Sequence, residues 1–146
     1  MTIVRELRLK AGVSQSELAR RSGVAQPNLA AYESGRRRPS AHTLARLRAA
    51  LRPRPSEAVR AHRDEVIAIL AQHGLSRPQV FGSAARGDDS PGSDLDLVVD
   101  MAPGGDLLDI IDAAAELERL LGCRVDIITS RALRAGHEIA RTARPL

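Results

Sequence analysis

Aromatic side chains are almost missing from this 146-residue chain: Tyr32 and Phe81 are the whole complement, and there is no tryptophan. Any core must be built from Leu, Ile, Val and Ala. Cysteine is nearly absent too. Cys123 stands alone, which excludes an intramolecular disulfide. It lies just before a strand-like run, where a buried, inert thiol is expected. Lysine appears once, at Lys10, so nearly every basic side chain is arginine. No long apolar run and no leader-like segment is present, and the chain opens on a charged amphipathic helix, so a cytoplasmic protein with no membrane partner is expected. The four histidines, His42, His62, His73 and His137, show no metal-binding spacing and read as surface or boundary residues. Internal repeats and low-complexity tracts are absent.

What is present divides by charge. Residues 1–55 carry twelve Lys and Arg against three acids, a net charge of +9, whereas residues 56–146 carry ten against fifteen, a net of −5. A basic segment with a localised footprint suits a polyanion. Two domains are expected, over 1–52 and 56–146. A short stiff linker, 53–55, reads Pro53-Arg54-Pro55 and follows Arg52.

The most informative spacing lies in the acidic half. Gln79-Val80-Phe81 reads as a strand and runs into Gly82-Ser83-Ala84-Ala85-Arg86-Gly87. Gly82 lets the backbone approach a phosphate. Ser83 offers a hydroxyl and an N–H where a helix begins, and helix N-termini favour anions. Arg86 adds a forked cationic donor, or else pairs with Asp88 or Asp89. After a polar loop comes Ser93-Asp94-Leu95-Asp96-Leu97-Val98-Val99. On a strand, Asp94 and Asp96 share a face. Carboxylates that close repel unless a cation intervenes, and magnesium prefers oxygen ligands of this kind. Asp126, in the strand-like Arg124-Val125-Asp126-Ile127-Ile128, adds a third acid if the two strands are neighbours. It would then complete a metal site or draw the proton from an acceptor hydroxyl, as in two-metal phosphoryl or nucleotidyl transfer. Asp100, Asp106, Asp109 and Asp112 read as surface and helix-start acids.

Over roughly 56–146 these blocks resemble the minimal nucleotidyltransferase family, a branch of the polymerase-beta-like nucleotidyltransferase fold. The carrying residues are Val80-Phe81-Gly82-Ser83-Ala84-Ala85-Arg86-Gly87, Ser93 to Val99 and Val125-Asp126-Ile127-Ile128, with helices expected near 56–73 and 106–121. The resemblance implies that Gly82, Ser83 and Arg86 hold the nucleotide. It implies that Asp94, Asp96 and Asp126 are catalytic and bind two Mg2+ ions, with ATP as substrate. It also implies an antitoxin that transfers AMP to a tyrosine hydroxyl of a HEPN-type toxin.

The first 52 residues read as short helices with tight turns. Ile3, Leu7 and Ala11 fall on one face, and Gly12 ends that helix. Ser14-Gln15-Ser16-Glu17 has the capping-box pattern. A helix over 26–33 tolerates Pro27 in its first turn, and Ser40 caps a last helix bearing Leu44, Leu47 and Leu51. This succession resembles the phage-repressor, Xre-like helix-turn-helix family, carried by Val13-Ser14-Gln15, Leu18-Ala19, Gly23-Val24, Tyr32 to Arg37 and Pro39-Ser40. Ala25 departs from it, standing where a capping serine is common. The resemblance implies that the helix begun by Gln26, Pro27 and Asn28 enters the major groove. Gln26 and Asn28 would read base edges, and Gln15, Arg36, Arg37 and Arg38 would touch phosphate. The arginine triplet is otherwise a solvated loop.

The fold class expected is thus an all-α helix-turn-helix followed by an α/β (α+β) nucleotidyltransferase domain. Partners expected are operator DNA, nucleotide and a toxin, in a homodimer or a hetero-oligomer with that toxin, with repression of the chain's own operon. Two rival readings stand beside this one: a DNA-binding regulator whose second domain only binds nucleotide or a partner, and a small-molecule nucleotidyltransferase.

Overall fold

A computed structural model of the chain describes residues 1–133 and 141–146. It comprises two compact units, Met1–Arg52 and Pro53–Leu146. Pro53, Arg54 and Pro55, read above as a linker, fall in the second unit. Arg54 and the buried Pro55 are built into its packing.

The first unit holds four helices: α1 (Ile3–Lys10), α2 (Gln15–Ser22), α3 (Gln26–Glu33) and α4 (Ala41–Ala50). Their apolar residues close one core of Val4, Leu18, Val24, Leu29, Tyr32, Leu47 and Ala50. The inward face of α1 is carried by Val4, while Ile3 is 44% exposed and Ala11 lies in solvent, so the Ile3–Leu7–Ala11 stripe is rotated from the expected one. Ser14 caps α2 by accepting from the Glu17 N–H at 3.1 Å, but the box is not reciprocal: Arg20 and Arg21 take the Glu17 carboxylate. Ser40 caps α4 at 3.1 Å, and Ala25 leaves α3 without a side-chain cap. Glu33 is buried at the end of α3. It receives Arg8 Nε at 2.5 Å and the side-chain amide of Gln15. Burial pushes its carboxyl up, but these donors and the Arg8 charge outweigh burial and hold it below the usual range.

The second unit is a mixed sheet with helices on one face. Its elements are α5 (Pro55–Ala61), α6 (Arg63–Gln72), β1 (Leu75–Phe81), α7 (Gly82–Arg86), β2 (Leu95–Met101), α8 (Leu107–Leu121), β3 (Val125–Thr129) and β4 (Arg144–Pro145). The described strands lie in the order β3-β2-β1-β4, with β2 antiparallel to β1 and parallel to β3. Leu95, Leu97 and Val99 of β2 point to the helical side. They pack with Val66, Leu70, Ala113, Leu117 and Leu121, as period-two alternation requires.

Several local expectations change. The helix expected over 56–73 breaks at His62 into α5 and α6, and Ser56 does not cap it, because its N–H and hydroxyl both go to the buried Asp89 at 2.8 Å. The first strand begins at Leu75, four residues earlier than expected. It carries an irregularity between Ser76 and Gln79, where Arg77 has φ +47° and Pro78 can donate no ladder bond. Asp94 lies just before β2 rather than on it. Asp106 and Asp109 form a true capping box on α8. Asp100 is not merely a surface acid, since it accepts from Arg77 Nε at 2.5 Å and Ser130 Oγ at 2.6 Å. Cys123 is half-buried beside the core. Burial and the nearby Asp94, Glu118 and Asp89 charges raise its thiol pKa, which disfavours the thiolate. Of the helix and final turn expected over 135–146, residues 135–140, His137 among them, lie outside the described residues, and 144–145 pair with β1 as strand β4.

Candidate active site

The sheet face away from α6 and α8 holds Asp96 and Asp126. Phe81 at the end of β1 is the register partner of Asp96 on β2, and Asp96 is the register partner of Asp126 on β3. The chain leaves β1 at Gly82, with φ +70°, and enters α7. A Cβ built on Gly82 would sit 2.6 Å from Asp96 Oδ2, so the turn lies directly against that carboxylate. Only glycine combines this left-handed backbone with so close an approach. No side chain caps α7, which leaves its first N–H groups available to an anion.

Asp96 is the electrostatic centre. Burial, then the charges of Asp126 and of Asp94, push its carboxyl above the usual range. None of the three carboxylates has a hydrogen-bond or ion-pair partner among the described residues. Uncompensated negative charge from oxygen donors suits a hard divalent cation. The expected convergence is nonetheless incomplete: among the described residues, no three His, Cys, Asp or Glu side chains close into a ligand set. Asp96 and Asp126 sit side by side, and Asp94 contributes its charge from the entry to β2. Ser83 lies in the first turn of α7 and is half-buried, while Arg86 is exposed and its Nε donates to Asp88 at 3.2 Å, the ion-pair alternative of its two readings.

A cluster unforeseen in the sequence holds the loop between the turn and the acids. Asp89 has no side-chain exposure and bonds Ser56 and Arg54, and Arg54 also donates to the carbonyls of Gly87 at 2.9 Å and Asp89 at 3.0 Å. Burial raises the Asp89 carboxyl, and the Ser56 and Arg54 donors outweigh burial and lower it. Nothing in sequence distinguishes Asp89 from the exposed Asp88.

In the first unit, Gln26, Pro27 and Asn28 form the opening turn of α3. Gln26 and Pro27 are exposed, and Asn28 Oδ1 accepts from Arg37 at 3.4 Å. Arg36, Arg37 and Arg38 are all exposed, with Arg37 6.0 Å from the Tyr32 ring centroid. Gln15 begins α2, where its amide is tied to Glu33.

Two family models match the chain. A helix-turn-helix family model covers residues 4–57, and a nucleotidyltransferase-domain model covers 63–144, more than half the chain. The chain belongs to the nucleotidyltransferase-domain family. It carries a helix-turn-helix domain ahead of that domain. A stretch of 87 residues, 54% of this chain, is 37% identical to protein adenylyltransferase MntA of Thermococcus cleftensis and spans 86% of that relative. A stretch of 65 residues, 44% of this chain, is 42% identical to a Methanocaldococcus jannaschii protein provisionally named a protein adenylyltransferase, spanning 70% of it. Among solved structures, one provisionally described as a minimal nucleotidyltransferase shares 44% identity and a TM-score of 0.56, over 62% of this chain and 95% of that one. A toxin–antitoxin crystal structure with AMP-PNP, at 22% identity and TM-score 0.50, over 56% of this chain and 69% of that one, shows the same fold.

Proposed function

We propose that this nucleotidyltransferase is the antitoxin of a toxin–antitoxin pair, transferring AMP from ATP to a tyrosine hydroxyl of a HEPN-type toxin. The observation that carries the reading is the abutment of the Gly82 turn on Asp96, itself opposite Asp126: a phosphate cradle placed against paired carboxylates. The relatives named as protein adenylyltransferases favour a protein acceptor, and a toxin–antitoxin structure shares the fold.

In this reading the N–H groups at Gly82 and Ser83 hold the triphosphate, with Arg86 turning from Asp88 to the phosphates. Asp94, Asp96 and Asp126 would hold magnesium, which when bound neutralises charge developing on the transferring phosphoryl group. Asp126, exposed and unpaired among the described residues, would accept the proton of the acceptor hydroxyl. The hydroxyl oxygen bonds to the α-phosphorus, the bond to the β-phosphate bridging oxygen breaks, and pyrophosphate leaves. The first unit binds the operator of the same operon, with Gln26 and Asn28 at base edges and Arg36, Arg37 and Arg38 at phosphates; Gln15, its amide held by Glu33, would meet phosphate through its backbone N–H at the start of α2. A two-fold operator would take two copies.

The test is the intact mass of a HEPN-type protein, sought first among the products of genes adjoining this chain's own, after incubation with this protein, ATP and magnesium. AMP-sized additions that vanish in Asp94→Asn/Asp96→Asn are expected. Co-purification without added mass would instead favour a binding-only antitoxin.

A further inference from the structure

Helix α8 is apolar on two opposite sides. Ala113, Leu117 and Leu121 face the core, with Ile110 packed beside them. Leu107, Leu108 and Ile111 point outward, 68%, 63% and 51% exposed, and Ala115 continues their stripe. Every exposed large apolar side chain described in the second unit belongs to this stripe. A soluble helix that packs on one side ordinarily presents a polar opposite face, and one apolar on both sides is covered on both. The stripe is also rigid at its start, because the Asp106–Asp109 capping box fixes the first turn.

Its surroundings define the complement. From Gly105 to Glu118 the chain has no Lys or Arg, and Asp106, Asp109, Asp112, Glu116 and Glu118 line the helix; the exposed Arg119 comes only in its last turn, and Glu116 meets His73 at 3.0 Å. Asp112 is exposed and has no hydrogen-bond or ion-pair partner among the described residues. A second copy docking by the same face about a two-fold axis at Ile111 would set the unpaired Asp112 near its own counterpart, which disfavours self-pairing. The complementary surface is apolar and flanked by Lys or Arg.

We infer that the outward face of α8, Leu107, Leu108, Ile111 and Ala115, is the docking surface for an amphipathic helix of a different protein, with basic residues beside its apolar face. In the proposed function, on which this rests, that protein is the toxin. The contact stays engaged whichever side chain occupies the carboxylate site, so affinity and catalysis are separable.

The test titrates full-length wild-type chain and Leu108→Ser/Ile111→Ser against the same HEPN-type protein, produced separately. AMP transfer is followed in parallel, and sedimentation gives the size of the free chains. The double variant is expected to bind at least tenfold more weakly, with the KM for the partner raised and kcat at saturating partner preserved. Asp112→Lys, which leaves the apolar stripe intact, is expected to weaken binding as well, more at low salt than at high, and serves alone if the double variant misfolds. Wild-type binding with both variants undiminished overturns the docking surface and leaves the antitoxin reading intact. Failure of the wild type itself to bind or modify that protein overturns the antitoxin reading and the docking surface with it. A wild-type dimer that the double variant converts to monomer overturns the choice of occupant.

Discussion

Gly82→Ala tests the site at its tightest point. The new methyl would sit 2.6 Å from Asp96 Oδ2, and ordinary contact begins at 3.4 Å. Alanine at φ +70° also bears the left-handed backbone cost of about 1–2 kcal/mol. Gly87→Ala is the matched control, with φ +79° and nothing within 4 Å of its Cβ. Both variants should lose stability through the backbone, and each 1 kcal/mol should lower the Tm of a domain of this size by roughly 4–8 °C. They should part company in activity. A misplacement of about 1 Å at a catalytic group costs ~100-fold in rate, so Gly82→Ala should lose at least that in AMP transfer while Gly87→Ala stays near wild type. The assay is transfer of AMP from labelled ATP at a temperature where both variants are folded, checked by circular dichroism. Equal activity in the two would refute the argument that the Gly82 turn is built against Asp96.

Asp96→Asn should reduce transfer by at least ~100-fold yet leave the fold as stable or more so at neutral pH. Ionised Asp96 opposes folding there because its folded pKa is raised, so its contribution weakens as pH climbs out of the acid range; a fall in Tm at pH 7 would contradict this. Glu33→Ala should destabilise the first unit by about 3–5 kcal/mol, by leaving Arg8 unpaired in a buried setting. Because the folded pKa of Glu33 is depressed, its stabilisation is complete above the ordinary glutamate range and is lost as pH falls through the folded value, which urea melts in acid would detect. Asp89→Ala should cost the second unit about 3–5 kcal/mol by stranding Arg54 and Ser56, measured by the same melts, whereas Asp88→Ala should cost under ~0.5 kcal/mol. On operator DNA, Gln26→Ala and Asn28→Ala should each lose about 1–3 kcal/mol and relax sequence preference, while Arg36→Ala should weaken all sequences alike, as gel shifts at matched salt would register.

Local signals made much of this protein legible in its sequence. Ser14 and Ser40 cap helices because a short hydroxyl reaches the backbone N–H three residues on, a contact within one turn. The alternation through Leu95, Leu97 and Val99 names the buried face of β2 because a strand turns its side chains over every residue. Gly82 announced a turn because few other residues accept its backbone, and the charge division needs no coordinates at all. Where several residues compete for one partner, the sequence was silent. Asp88 and Asp89 are identical neighbours, yet Asp89 alone is buried, because Arg54 and Ser56 arrive from more than thirty positions away. Ser56 has the look of a helix cap and is diverted to that same carboxylate. The Ser14–Glu17 box stays half-made because Arg20 and Arg21 offer Glu17 stronger, charged partners. The three acids were identifiable as types, but their relation was decided by strand order: the parallel pairing of β2 with β3 sets Asp96 beside Asp126, while Asp94 remains just outside the strand. In α8 it was packing that chose one apolar side and left Leu107, Leu108 and Ile111 in solvent. Sequence by itself determined most of the elements, the Ser14 and Ser40 caps and the chemistry the strands carry, because those rest on contacts within a few residues. Tertiary structure alone decided which carboxylates share a field and which apolar face remains open, because both depend on pairings between segments far apart along the chain.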